Sequence, residues 1–166
     1  MERIDMHSPF IGIVGSDACL PELEELAAEV GREVARKGGV LVCGGLEGVM
    51  TAAAQGAKEI GGTTVGILPG PSTAEANEYI DFPIATNMGH ARNAIIVHTA
   101  DVLISIGGGY GTLSEVALAL KSGKGVIALL PQFHIPGVQV VQTATDAVSE
   151  ALTLIELGRK PSRTFL

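Results

Sequence analysis

The sequence predicts an α/β fold, a doubly wound parallel sheet of about seven strands with helices on both faces. Three observations carry that expectation. Short apolar runs alternate with helix-period segments along the chain, and most runs close on Gly or Pro. Aromatic residues make up only 4% of 166 residues and Trp is absent. The interior must therefore be built from Val, Ile, Leu and Ala, the composition of strands covered on both faces.

The elements follow in order. Strands are expected at 10–14, 40–43, 63–68, 102–106 and 126–130, each an apolar run too short for a helix. Weaker runs at 82–86 and 138–142 complete the set, the first with a Pro that suits an edge or a strand start. In 21–37, Leu23, Leu26, Ala27, Val30 and Val34 recur at helical spacing, with Pro21 at the entry and Gly38-Gly39 at the exit. In 112–122, Leu113, Val116, Ala117 and Leu120 share a face that Gly123 ends. Segments 46–60, 90–99 and 145–158 have the same period. Strand and helix alternating at this pitch give right-handed βαβ units, a Rossmann-like arrangement read as one domain over 1–166.

Composition narrows the function. A net charge of −7 without clustered Lys or Arg excludes duplex nucleic acid and anionic membranes as partners, but leaves room for a small anion held locally. Cys19 and Cys43 form no CxxC pair, so a reducing compartment, the cytoplasm, is expected. No apolar stretch is long enough for a membrane helix, and the first nine residues carry acids and a His where a leader would be apolar. His7, His90, His98 and His134 show no metal-ligand spacing, and no metal or cofactor is expected.

In such folds ligands sit beyond the carboxyl ends of the strands, and the junctions there are unusual. Gly44-Gly45-Leu46-Glu47-Gly48-Val49-Met50 runs from a strand into a helix; it serves either as a tight turn or as an anion cradle. It is not a dinucleotide fingerprint, since Cys43 replaces the first Gly and no acid ends the next strand. Gly107-Gly108-Gly109-Tyr110-Gly111-Thr112 precedes another helix, and glycines at that density favour close backbone approach to an anion. Thr112 and Glu115 there also match a T-x-x-E capping box, a purely structural role. Arg92, at the start of the helix before the fifth strand, is either a phosphate clamp or a solvated surface residue. Gly15-Ser16-Asp17 could add a hydroxyl and N–H donors, or only start the first helix.

Together these junctions resemble the LOG-like superfamily, whose best-known members are cytokinin riboside 5′-monophosphate phosphoribohydrolases. The resemblance rests on Gly44-Gly45-x-x-Gly48-Val49-Met50, Ile67-Leu68-Pro69, Arg92-Asn93 and the GGGYGTLSE loop, over roughly residues 10–130. The short branch with the molybdenum cofactor carrier proteins is nearer still, sharing Gly70-Pro71 and Ala91-Arg92-Asn93.

The resemblance implies catalytic roles for Arg92 and Glu115. Ligand or phosphate contacts are expected at Gly44, Gly45, Gly48, Met50, Asn93, Gly108, Gly109, Tyr110, Gly111 and Thr112 within the resembling motifs, and at Gly15 and Ser16 from the first junction. The chain departs from the hydrolases at Gly107, where they have Pro, and at Asn93, where they usually have Lys. It also lacks their Gly-Tyr-Tyr-type segment after 130.

Two functions follow. One is hydrolysis of the N-glycosidic bond of a nucleoside 5′-monophosphate, with Glu115 kept ionised by the helix N-terminus to stabilise positive charge on the ribose. The other is a carrier or sensor of a phosphorylated pterin or nucleotide. The family habit of dimers and tetramers, with the apolar Ile95-Ile96-Val97 helix, suggests a homodimer or homotetramer.

Overall fold

The structure, a computed structural model, describes residues 7–18 and 20–159. Cys19 and the first six residues, read above as a reduced thiol and as part of a leaderless start, lie outside the described residues. The chain runs β1 (Phe10–Gly15), α1 (Pro21–Arg36), β2 (Val40–Cys43), α2 (Val49–Glu59), β3 (Thr63–Leu68) and β4 (Phe82–Ala85). It continues through α3 (Asn93–Thr99), β5 (Val102–Ile106), α4 (Tyr110–Lys121), β6 (Val126–Leu129), β7 (Gln139–Val141) and α5 (Ala144–Arg159).

The seven strands form one parallel sheet in the order β4-β3-β2-β1-β5-β6-β7. Winding starts at β1, goes outward to β4, then returns to β5 and goes the other way, so the topological switch lies between β1 and β5. The two weak runs became the two edges, where Pro83 and the polar Gln139 cost least.

Period-2 alternation sends each strand's residues to opposite layers. Ile11, Ile13, Leu41, Cys43, Ile104, Ile106, Ile127 and Leu129 pack under α1, α2 and α5. Val14, Val42, Ile67, Leu103 and Val126 pack under α3 and α4. Fully burying one such Ile or Leu stabilises by about 1.5–3 kcal/mol, and the doubled layer explains why the strands are apolar on both faces.

The helices differ from the sequence expectation mainly at their starts. α2 begins at Val49 rather than 46 because the preceding three residues are spent on the loop. Residues 89–92 form a 3₁₀ turn ahead of α3, a common tightening at helix ends. Of the apolar trio expected at a partner interface, Ile96 and Val97 fill this chain's own core, leaving Ile95 partly buried. The far end of α3 is anchored by Lys124, whose Nζ donates to the carbonyls of Val97 (2.7 Å), His98 (3.0 Å) and Ala100.

α1 and α2 cross unusually closely because glycines meet backbone there. A Cβ at Gly31 would overlap the carbonyl oxygen of Ala53, and one at Gly56 that of Ala28. Gly31→Ala would gain about 1 kcal/mol of helix propensity, yet neither backbone can yield without parting the helices. A net loss of about 2–3 kcal/mol is expected, seen as a lower urea midpoint. An unchanged midpoint would show that the helices separate freely.

The connection from β3 to β4 is held at two points. Asp81 pairs with Lys58 (2.8 Å) and accepts the Thr64 N–H (3.0 Å), while the Thr64 hydroxyl donates to the Tyr79 carbonyl (2.6 Å). Asn77 reaches the other way, its N–H to the Gly45 carbonyl (2.9 Å) and its amide to that of Leu46 (2.8 Å). This second tie builds a wall beside the strand ends.

Candidate functional site

The carboxyl ends of β3, β2, β1 and β5 open into a cleft of about 940 Å³, near the top of the usual range for ligand sites. Its floor and walls include Gly15, Ser16, Gly44, Met50, Arg92, Asn93, Gly109, Tyr110, Gly111, Thr112 and Glu115. The structure thus brings most of the expected site residues into one space.

Gly45, Gly48 and Gly108 do not line the cleft. They hold φ of +74°, +69° and +103°, in the left-handed region, and shape the turns instead. Gly48 lets the backbone pass Ser16, whose carbonyl accepts the Val49 N–H at 2.9 Å. The Ser16 hydroxyl is engaged within its own loop, donating to the Ala18 carbonyl at 2.7 Å.

The capping-box reading of Thr112 and Glu115 does not hold. α4 starts at Tyr110 with Gly109 as its cap and no side-chain cap bond, so Thr112 is already its third residue and Glu115 its sixth. The first N–H groups of a helix have no intrahelical acceptor. The residues that carry them, Tyr110, Gly111 and Thr112, line the cleft, and the cap residue Gly109 offers no side chain to them.

Gly109 and Gly111 are cleft-lining positions where an added Cβ would meet nothing within 4 Å. The fold does not need glycine there; an approaching ligand would. Gly111→Ala is accordingly expected to keep or slightly raise the melting temperature, since Ala is the better helix residue. The same substitution should weaken phosphate-ester binding about tenfold or more, measured by calorimetry. Unchanged binding would remove the loop from the cradle.

Arg92 and Glu115 form the charged floor. Both are buried, at 9% and 7% exposure, which excludes the solvated-surface reading of Arg92. Arg92 donates through Nη1 to the Asn93 side-chain oxygen and through Nη2 to the Gly44 carbonyl at 3.5 Å, while its Nε has no partner. A Cβ at Gly44 would sit 2.7 Å from Arg92 Nη2 and 2.7 Å from Met50 Sδ. That glycine is therefore the seat of the arginine as much as a turn residue.

Burial pushes the Glu115 carboxyl up to about 7, with the Arg92 charge pulling the other way. This corrects the expectation that the helix N-terminus keeps Glu115 ionised. The macrodipole acts within the first turn, and the sixth residue lies beyond it. Burial lowers the Arg92 guanidinium's affinity for its proton, and Glu115 opposes that. Cys43, wholly buried, has its thiol pushed up to about 11, mainly by burial, and is no nucleophile at neutral pH.

Sequence reasoning missed part of the outer wall. Asp17, Glu47, Pro69, Glu75, Asn77 and His90 also line the cleft. Asp17, Glu47 and Pro69 lay inside motifs already singled out. Glu75 and Asn77 come from the β3–β4 connection, and only the Asn77 ties bring them to the strand ends. Among the described residues no group of His, Cys, Asp and Glu could hold a metal ion, and no helix is long and apolar enough to cross a membrane.

Similar known proteins extend the picture. The family profile described as LDcluster4, the SLOG cluster4 family, matches residues 8–158. An uncharacterized protein of Archaeoglobus fulgidus is 50% identical over 143 residues, 86% of this chain and 94% of that protein. A cytokinin riboside 5′-monophosphate phosphoribohydrolase of Mycobacterium tuberculosis is 35% identical over 127 residues, 71% of this chain and 68% of that one. Among solved structures, the molybdenum cofactor binding protein of Rippkaea orientalis superposes with a TM-score of 0.86 at 37% identity. That match covers 90% of this chain and 99% of the other.

Proposed function

Since the chain belongs to the SLOG cluster4 family, we propose that its cleft binds a phosphorylated, nucleotide-like ligand and hydrolyses the N-glycosidic bond of a nucleoside 5′-monophosphate. The observation that carries this reading is the buried Arg92/Glu115 pair beneath the open glycines at 109 and 111. The free N–H groups of α4 receive the 5′-phosphate. Arg92 supplies positive charge and fixes the sugar phosphate over Glu115.

As the C1′–N bond breaks, its electron pair leaves with the base and positive charge develops on the ribose. Ionised Glu115 stabilises that charge and orients the water that adds to C1′. One proton of the water passes to Glu115 and the other stays on the new C1′ hydroxyl, while the departing base takes up one proton from Glu115 or solvent, leaving free base and ribose 5-phosphate. Burial gives Glu115 an affinity for protons matched to neutral pH, where an acid–base group works best.

A carrier of a phosphorylated pterin is the second reading. It is favoured by the match over nearly the whole Rippkaea orientalis protein and by Gly107 and Asn93 in place of the hydrolases' Pro and Lys. With either function we propose a cytoplasmic homodimer or homotetramer, the location supported by the absence of a CxxC pair and the assembly by the family resemblance. A gel-filtration mass of one 17.0 kDa chain would count against the assembly.

The deciding experiment incubates the protein with AMP, GMP, CMP and UMP and measures free base by chromatography. Base release supports the hydrolase. Absence of release, with thermal stabilisation by a pterin phosphate, transfers the site to the carrier reading.

A further inference from the structure

The hydrolysis proposed above leaves one charge without a partner. As the C1′–N bond breaks, its electron pair moves onto the base, while the groups named so far serve the phosphate, the ribose and the water. A donor aimed at that developing negative charge would lower the barrier.

The cleft follows the strand ends in the order β3, β2, β1, β5. α4 starts after β5, and Arg92 reaches the Gly44 carbonyl just after β2. With the phosphate at α4 and the sugar beside Arg92, the base extends toward β3. Three strand spacings, about 14 Å, separate the two extremes, comparable to the length of an extended nucleoside monophosphate.

The backbone brings His90 to the β3 end. Asn87 and Gly89 hold φ of +51° and +56° and turn the chain back over that strand. Three bonds stitch the turn in place. The Thr86 hydroxyl donates to the Leu68 carbonyl (2.7 Å), the Asn87 N–H to that of Gly70 (2.9 Å) and the Gly89 N–H to that of Pro69 (3.0 Å). His90 follows directly, exposed and lining the cleft, two residues before Arg92 on the same 3₁₀ turn. Its ring bonds to no other of the described residues. The neighbouring side chains cannot replace it. Asn77 spends its amide on the Leu46 carbonyl and the Tyr79 N–H. Glu47 and Glu75 are acids whose ionised form only accepts, and Pro69 has no donor.

We propose that His90 is the leaving-group donor. Its ring N–H bonds the atom of the base onto which the electron pair of the breaking bond is drawn, and stabilises negative charge there. The hydrogen stays on His90, the base takes up its proton as described above, and the water adds to C1′. An N–H is present in the neutral and the protonated ring alike, so the pH dependence remains that of Glu115. This role rests on the hydrolase reading.

The test compares two leaving groups in the full chain. One substrate is whichever of AMP, GMP, CMP and UMP releases base fastest. The other is 4-nitrophenyl ribofuranoside 5-phosphate, whose nitrophenolate departs as a stable anion and needs no donor. His90→Leu is expected to lower kcat for the nucleotide by about 100-fold, and for the nitrophenyl glycoside by less than about threefold. His90→Gln keeps an N–H and is expected to recover about tenfold of the loss. Calorimetric affinity for ribose 5-phosphate should be unchanged in both variants. An equal fall with both substrates, no fall with the nucleotide, or equal rates for His90→Leu and His90→Gln overturns the role of His90 and leaves hydrolysis standing. Failure of the wild type to release either base or nitrophenol overturns the hydrolase reading and the role of His90 together.

Discussion

Glu115→Gln is expected to lower base release by about 10³-fold while making the protein more stable at pH 8. The two effects share one cause. The carboxyl is held at about 7 in the fold against an ordinary 4.5, chiefly by burial. The folded chain therefore binds this proton more tightly than the unfolded chain, so stability falls as pH rises from about 4.5 to just above 7. Above that window the ionised group costs about 3 kcal/mol, and glutamine, the neutral isostere, is spared it. Wild type and variant should have the same urea midpoint near pH 4, with the variant ahead by up to that amount at pH 8. In the wild type, kcat/KM should climb with pH and level off above about 7, since the ionised form acts. A variant that retains turnover would remove Glu115 from the chemistry. Equal midpoints at pH 8 would mean that the fold does not resist its ionisation.

Much of this arrangement is legible in the residues themselves. Ile11, Ile13, Ile104 and Ile127 betray strands buried on both faces because parallel sheets leave no wet side. The edge position of β4 could be read from Pro83, which donates no ladder hydrogen bond. Arg92 and Glu115 were marked by position at helix starts after strand ends. Their burial was not, since it depends on Gly44 leaving room for the guanidinium and on α4 beginning at Tyr110. A T-x-x-E pattern is indifferent to which residue caps the helix; bare glycines moved the start forward and turned a capping glutamate into a buried one. Glu75 was invisible for a different reason. Its place in the cleft is made by one asparagine bridging two loops 31 residues apart, and no local pattern records such a tie.

The consequence of the Arg92–Glu115 coupling is sharpest when the arginine is removed. Arg92→Met is expected to lower affinity for phosphate esters by about 100-fold or more, the usual result of truncating a buried charged donor. It should also move Glu115 above about 7, because Arg92 is the group that holds the carboxyl down against burial. Stability then separates by pH. Near pH 5, where Glu115 is neutral, loss of a buried guanidinium with an unpartnered Nε is nearly offset by relief of its desolvation. At pH 8 the variant must either protonate Glu115 or bury an uncompensated carboxylate, and its urea midpoint should drop. Arg92→Lys separates charge from shape: an ammonium keeps the Glu115 titration close to 7 but lacks the planar fork. The lysine variant should therefore keep the wild-type pH dependence of stability while still losing phosphate affinity. A Glu115 titration that stays at about 7 in Arg92→Met, followed by ¹³C NMR of the carboxyl, would show that burial alone sets it and that the arginine serves only the ligand.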